Sequence, residues 1–230
     1  MAVQLDRIVP LGRSFREYQL MFNLTEADLA GRVLDCGGGP ASFTAEAIAL
    51  GYSVDAVDPL YEYAGEQIEQ RFWATVEDVM AQIDATPDDW VWTVHTDSRA
   101  LRRQRIEVMG RFLKDYRVGD RYITAALPNL PFADSRYTLA LCSHLLFLYS
   151  DLLSLEFHLA SLQELCRVAE EVRVFPLVTL AAQPSPYVAA VCQALGDRGL
   201  MTQIQSVGYE LQKGGNQMLR IFRCGANHPA

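Results

Sequence analysis

The run Val33-Leu34-Asp35-Cys36-Gly37-Gly38-Gly39-Pro40-Ala41 constrains this chain more than any other stretch. Paired apolar residues lead through an acid into three glycines, whose missing side chains let the backbone approach a ligand closely. The reading is a first strand over Arg32 to Asp35, a glycine loop over Cys36 to Pro40, and a helix over Ser42 to Leu50 that stops before Gly51. An open α/β sheet binds its ligand at such a strand's carboxyl end. A second strand, Ser53 to Val57, closes on Asp58 and Pro59, and Asp58 stands 19 residues after Gly39. That is the place and spacing of a carboxylate accepting hydrogen bonds from ribose hydroxyls, so a nucleoside-containing cofactor is expected. A dinucleotide would want the third glycine of G-x-G-x-x-G, and counting from Gly37 this chain has Ser42 there.

Elsewhere, Gly and Pro punctuate an alternation of strands and helices, which predicts an α/β sheet. Phe15, Tyr18, Met21 and Phe22 recur at helical spacing within a helical N-terminal segment, residues 1–30. The next clear strand, Tyr122 to Ala126, comes more than 60 residues after the second. A simple crossover needs about 10 to 25. Residues 61–118 are therefore read as an inserted cap: a helix over Glu62 to Asp84, a short alternating strand over Trp90 to Thr96, and a basic helix over Ser98 to Tyr116. Leu139 to Ser143 is almost wholly apolar, as a strand covered on both faces is. Helix Ser150 to Val168, strand Glu171 to Thr179 and helix Pro186 to Gly196 continue the alternation. Two last strands, Gln203 to Leu211 and Met218 to Arg223, are joined by Lys213-Gly214-Gly215-Asn216, too short for a crossover, and so form an antiparallel hairpin.

With 50% apolar and 21% charged residues, the 230-residue chain suits a single globular domain, and disordered or coiled-coil classes are excluded. The longest apolar run, Leu139 to Tyr149, has 11 residues and contains Ser143 and His144, too short and too polar to span a bilayer. Nothing at the start resembles a secretion signal, so a cytoplasmic location and no membrane partner are expected. Cys36, Cys142, Cys166, Cys192 and Cys224 lie at least 24 residues apart, the pattern of buried, reduced thiols rather than of disulfides or a metal site. The net charge of -8 argues against nucleic acid as a partner, although seven bases cluster between Arg99 and Arg117.

With D-x-G-x-G behind paired apolars and an acid closing the second strand, the chain resembles the class I S-adenosylmethionine (SAM) dependent methyltransferases. Asn129-Leu130-Pro131-Phe132-Ala133-Asp134-Ser135-Arg136-Tyr137 is similar to that family's loop between its third and fourth strands. Leu139 to Ser143 resembles its fourth strand, Glu164 to Val168 the end of the following helix, and the terminal hairpin its antiparallel seventh strand. The resemblance implies a doubly wound, mostly parallel seven-stranded sheet with SAM as cofactor. It implies that Asp35 holds the glycine loop and the cofactor's amino group, that Gly37 and Gly39 contact the cofactor, and that Asp58 binds the ribose. Pro59 would border the adenine, and Tyr18 lies in a segment that folds over the cofactor in this family. Ser143 and His144 leave the fourth strand where the family brings its acceptor to the methyl group. His144 is the histidine placed to accept a proton, and its ordinary pKa of about 6.5 suits that work. His95, His158 and His228 have no evident constellation.

The chain departs from the family at Ala41, in place of the loop's third glycine, at Ala126, where an acid or amide usually meets the adenine, and at Thr138, in place of an acid opening the fourth strand. Were Trp90 to Thr96 the third strand, Asp97 would supply the missing acid. The expected function is methyl transfer to a small-molecule acceptor beneath the cap. RNA or protein methylation through the basic helix, and SAM binding without catalysis, are the alternatives. The acceptor and the oligomeric state stay open.

Overall fold

The computed structural model describes residues 4–118 and 120–223, so the expectations for Cys224 and His228 fall outside the described residues. The sheet is built from β1 (Arg32–Cys36), β2 (Ser53–Val57), β3 (Tyr122–Ile123), β4 (Tyr137–Ser143), β5 (Ala169–Phe175), β6 (Leu200–Ser206) and β7 (Gln217–Arg223). These seven strands run in the order β3-β2-β1-β4-β5-β7-β6. All neighbouring pairs are parallel except those of β7, which is antiparallel to both β5 and β6. Along β1 and β4, Val33, Leu139 and Leu141 enter the core on one face, and Leu34, Cys36, Ala140 and Cys142 enter the core on the other. Such strands need cover on both sides. The first face is covered by α1 (Phe15–Phe22), α2 (Glu26–Leu29), α3 (Phe43–Ala49), α4 (Gly65–Ala85) and α5 (Ser98–Tyr116), the second by α6 (Leu155–Val168) and α7 (Val188–Gly196). This is the doubly wound α/β fold expected, and its strand order reverses between β1 and β4, where such sheets open a ligand crevice. Among the described residues no helix is long and apolar enough to cross a membrane.

Several boundaries move for identifiable reasons. Trp90 to Thr96 is not a strand, and so not the third strand: its main-chain pairing is a bridge from Trp90 to Gln212 and a Val91 N–H bond to the Leu211 carbonyl. Its alternation reflects Trp90, Trp92 and Val94 packing on the core from an irregular segment. Asp97 caps α5 by accepting the Ala100 N–H at 2.7 Å, so it does not replace the acid missing near Ala126. β3 is only two residues long, and Ala126 lies beyond it, bridged to Asn129. Helix α6 starts at Leu155 because Ser154 is its N-cap, while Phe147–Tyr149 form a separate 3-10 turn. β5 begins at Ala169 and stops before Pro176, which has no N–H to continue the ladder. The terminal strands are antiparallel, but β6 ends at Ser206 and a ten-residue connection, 207–216, leaves the sheet to bury Tyr209 and Leu211. Lys213 to Asn216 is therefore part of that connection, not a tight hairpin turn.

The insertion shares the core of the sheet. Phe112 is fully buried, with ring centroids 6.2 Å from Tyr61, 5.0 Å from Tyr116 and 5.4 Å from Tyr122 of β3. Trp90 and Trp92 pack on the same core, while Trp73 is exposed. Phe112→Ala should cost about 3 to 5 kcal/mol, the usual loss for an emptied aromatic site. The check is a denaturant titration read by tryptophan fluorescence, whose three reporters all lie in the insertion, and by circular dichroism. A single shared transition, shifted by the substitution, is expected; two separated transitions would mean that the insertion folds independently.

Candidate functional site

The glycine loop after β1 is short of space and takes a left-handed backbone path that suits glycine. Gly37 and Gly39 have φ of +69° and +52°, a region costly for residues with a Cβ. A Cβ on Gly37 would lie 2.7 Å from Leu145 Cδ2, and one on Gly38 2.5 Å from Asp35 Oδ2. Hydrogen bonds pin the loop: the Gly37 N–H donates to the Val57 carbonyl at 2.8 Å, and the Gly39 N–H to Asp58 Oδ2 at 2.9 Å. Asp58 Oδ1 accepts the Leu60 N–H at 2.7 Å, and the Tyr61 hydroxyl donates to the Gly39 carbonyl at 2.8 Å. Asp58 thus joins the ends of β1 and β2 into one rim. Burial raises its carboxyl above the ordinary value, with the two amide bonds opposing.

Asp35 lies under this loop, 1% exposed, and its Oδ1 accepts the Tyr18 hydroxyl at 2.9 Å. Burial raises its pKa to about 7; the Tyr18 bond opposes the rise and the charge of Asp58 adds to it. A cavity of about 780 Å³ opens at the carboxyl ends of β1 to β5. That is in the upper part of the range of about 300 to 1,000 Å³ for ligand pockets. Tyr18, Gly37, Gly39, Asp58, Pro59, Ser143 and His144 all line it. Asp35 is not among them; it supports the loop from below.

Ala125, Ala126 and Leu127 give the cavity an apolar wall beyond β3. At the end of β4, His144 has φ +52°, its N–H donates to the Phe175 carbonyl at 2.7 Å, and its Nδ1 lies 2.8 Å from Ser143 Oγ. Burial, then the charges of Arg13 and Arg105, hold the imidazole well below 6.5, so it is neutral at neutral pH.

The Glu17 cluster at the roof of the cavity escaped sequence reasoning. Glu17, 2% exposed, has Oε1 2.8 Å from Arg105 Nη1, 3.2 Å from the Tyr209 hydroxyl that donates to it and 3.3 Å from His95 Nε2. Its Oε2 accepts the Ser14 N–H at 2.8 Å. Burial opposes ionisation of Glu17, but Arg105, the His95 hydrogen bond and Arg13 outweigh it and hold the carboxyl well below its ordinary range. His95 therefore does sit in a constellation. Arg13, Arg105 and Tyr209 line the cavity, as does the N-terminal stretch Leu5 to Gly12 apart from Asp6. His158 stays apart, buried with Nδ1 2.8 Å from the Ser154 carbonyl oxygen.

No family model matches the chain. The uncharacterized protein MJ0045 of Methanocaldococcus jannaschii is 30% identical over 223 residues, spanning 96% of this chain and 99% of that protein. Magnesium protoporphyrin IX methyltransferase from Synechocystis PCC 6803, solved with bound SAM, is 15% identical, with 86% of this chain and 73% of that one covered and a TM-score of 0.46. A putative SAM-dependent methyltransferase from Methanococcus maripaludis is 12% identical, with 94% and 85% covered and a TM-score of 0.46.

The Asp35 environment sets a pH dependence. Its folded pKa, about 7, lies above the ordinary 3.8, so the folded state binds the proton more tightly. The associated stability is fully present below pH 3.8 and lost as pH rises through about 7. Thermal melts should show wild type losing stability relative to Asp35→Asn over that window and running parallel to it above; parallel curves throughout would mean that Asp35 titrates normally.

Proposed function

The chain belongs to the same protein family as MJ0045 of Methanocaldococcus jannaschii, and we propose that it transfers a methyl group from SAM to a small-molecule acceptor. The observation that carries this reading is the rim of the cavity, where the tight glycine loop after β1 is tied to the Asp58 carboxylate after β2 at the point where the strand order reverses. The cradle suits a nucleoside cofactor, because Gly37 and Gly38 leave no room for a Cβ and their backbone borders the cavity directly. Each Asp58 oxygen accepts one amide N–H and keeps a second lone pair for a ribose hydroxyl. Pro59 and Leu60 on one side and Ala125 to Leu127 on the other offer apolar surfaces for a base.

When bound, SAM would supply a methyl group already activated on a sulfonium, leaving alignment and proton transfer to the protein. Tyr18 and Ser143 border the cofactor space, and Asp35 positions the loop from beneath. His144 is the proton acceptor for a hydroxyl or ammonium nucleophile. The Ser143 hydroxyl donates to Met21 Sδ, which leaves its oxygen to accept Nδ1–H and makes Nε2 the accepting nitrogen, and the low pKa keeps the ring in the free-base form at neutral pH. A small acceptor is favoured over nucleic acid because the basic helix is partly neutralised: Arg102, Arg111 and Arg117 pair with Glu77, Glu46 and Glu66.

Calorimetric titration with SAM, S-adenosylhomocysteine and NAD tests the reading. Saturable binding of the first two and not of NAD is expected; binding of neither to the folded protein would sink it. Asp58→Ala should weaken S-adenosylhomocysteine binding about 10- to 100-fold, the worth of a charge-assisted hydrogen bond. His144→Ala should leave that affinity in place and slow transfer about 100-fold. In wild type the rate should stay level through pH 6.5 and decline only well below it, because the base is protonated only there; a rate that halves near pH 6.5 would assign the titration to another group.

A further inference from the structure

The charges at the roof of the cavity do not balance. Arg13 and Arg105 both line it, and among the described residues Glu17 is the carboxylate that pairs with Arg105, while Arg13 has no ion-pair partner. Arg13 gives Nη1 to the carbonyls of Leu11 and Gly12, and its buried Nε–H has no hydrogen-bond partner. Their other neighbours add no anion: burial raises the hydroxyls of Tyr18 and Tyr209 and lowers the imidazole of His144, so all three are neutral. Two guanidiniums and one carboxylate leave a single positive charge in a place where charges are normally paired.

Elsewhere the lining of the cavity is largely apolar, with Val79, Met80 and Ile83 of α4, Leu101, Trp90 and Leu211, and it also carries Arg7 and Arg71. The cationic end is also continuous with the end of β4. Arg105 adjoins the Tyr209 hydroxyl at 3.5 Å, the Tyr209 ring lies 5.8 Å from Phe175, and Phe175 lies 5.4 Å from His144. We propose that Arg13, with Arg105 beside it, anchors the acceptor, and that the acceptor is a small apolar molecule carrying one carboxylate. This rests on the methyltransferase reading for the word acceptor, but the binding chemistry stands on the roof itself. A carboxylate matches the unpartnered guanidinium in charge and planar geometry, whereas a phosphate dianion would replace one excess positive charge by one excess negative charge.

The test uses a pair of probes of equal shape, 1-naphthylacetate and its neutral amide 1-naphthylacetamide, titrated calorimetrically into the full-length protein with saturating S-adenosylhomocysteine. Wild type should bind the acid about tenfold or more tightly than the amide, and Arg13→Met should abolish the preference. The affinity for S-adenosylhomocysteine should stay within about twofold in Arg13→Met, as expected of an arginine that holds the acceptor's anion and not the cofactor's. Equal binding of acid and amide by wild type, or binding of neither, overturns the proposal. So does a large loss of S-adenosylhomocysteine affinity in Arg13→Met with 5′-methylthioadenosine binding unchanged, since that compound lacks the amino-acid end and the anion would then be the cofactor's. If Arg13→Met does not fold, Arg13→Lys is read instead, and an undiminished preference in it overturns the planar pairing. Failure of wild type to bind S-adenosylhomocysteine would sink the methyltransferase reading while the acid and amide titrations, run without it, still decide this one.

Discussion

Three stretches far apart in the chain meet over the cavity on one buried carboxylate. Glu17 of α1 holds Arg105 of α5, His95 from the segment before that helix, and Tyr209 from the connection between β6 and β7. Removing an ion pair from water costs more than the attraction returns unless the remaining lone pairs are filled. Here they are filled, because Ser14 gives both its N–H and its hydroxyl to Glu17 Oε2. The same carboxylate closes the capping box of α1. Helix start and cavity roof are therefore one structure, and removing Arg105 alone would strand a buried anion under both.

Successive residues of α1 bind the two sides of the cavity. Glu17 reaches the roof, while Tyr18 donates to Asp35 beneath the glycine loop. Neighbouring side chains on a helix diverge by about 100°, so one short helix serves both directions. Behind it, the Tyr18 ring stacks on Phe43 at 4.1 Å and Phe15 on Phe43 at 5.7 Å, which fixes α1 against α3. The segment leading into α1 is seated on the loop itself. The Ser42 N–H donates to the Arg13 carbonyl at 3.1 Å, and a Cβ on Gly12 would stand 2.1 Å from the Pro40 carbonyl oxygen. Floor and roof are spaced by backbone contacts as well as by side chains.

What the sequence makes legible is what depends on neighbours in sequence. β2 falls at Ser53–Val57 and α5 at Ser98–Tyr116, as their patterns predict, and the loop glycines adopt the positive φ that explains their presence. Asp58 was likewise visible from its spacing. Glu17 and Arg105 are 88 residues apart, and neither carries a local mark of being buried. The pattern Ser14-x-x-Glu17 is accounted for by helix capping, and Arg105 is one base among seven in its helix region. Trp90 to Thr96 misleads for the opposite reason: period-two alternation reports which side chains touch a core, and an extended segment does so without a strand beside it. The same limit hides the connection 207–216, whose Tyr209 and Leu211 are drawn to the cavity instead of extending β6.

The two ends of the cavity have opposite electrostatic preferences. At the floor, burial raises Asp35 and Asp58, so each would ionise more readily beside a cation. At the roof, Arg13 and Arg105 face one carboxylate, and their charges help to keep His144 neutral. On the proposed reading, a sulfonium cofactor relieves the floor and an anionic acceptor relieves the roof. Exchanging the two would place like charge against like at both ends. Orientation is then set by charge before shape is tested, and a neutral His144 adds no positive charge against the sulfonium it would face. Buried groups displaced from their ordinary titration and an unpaired guanidinium cost stability, and a ligand of matching charge at each end offsets that cost.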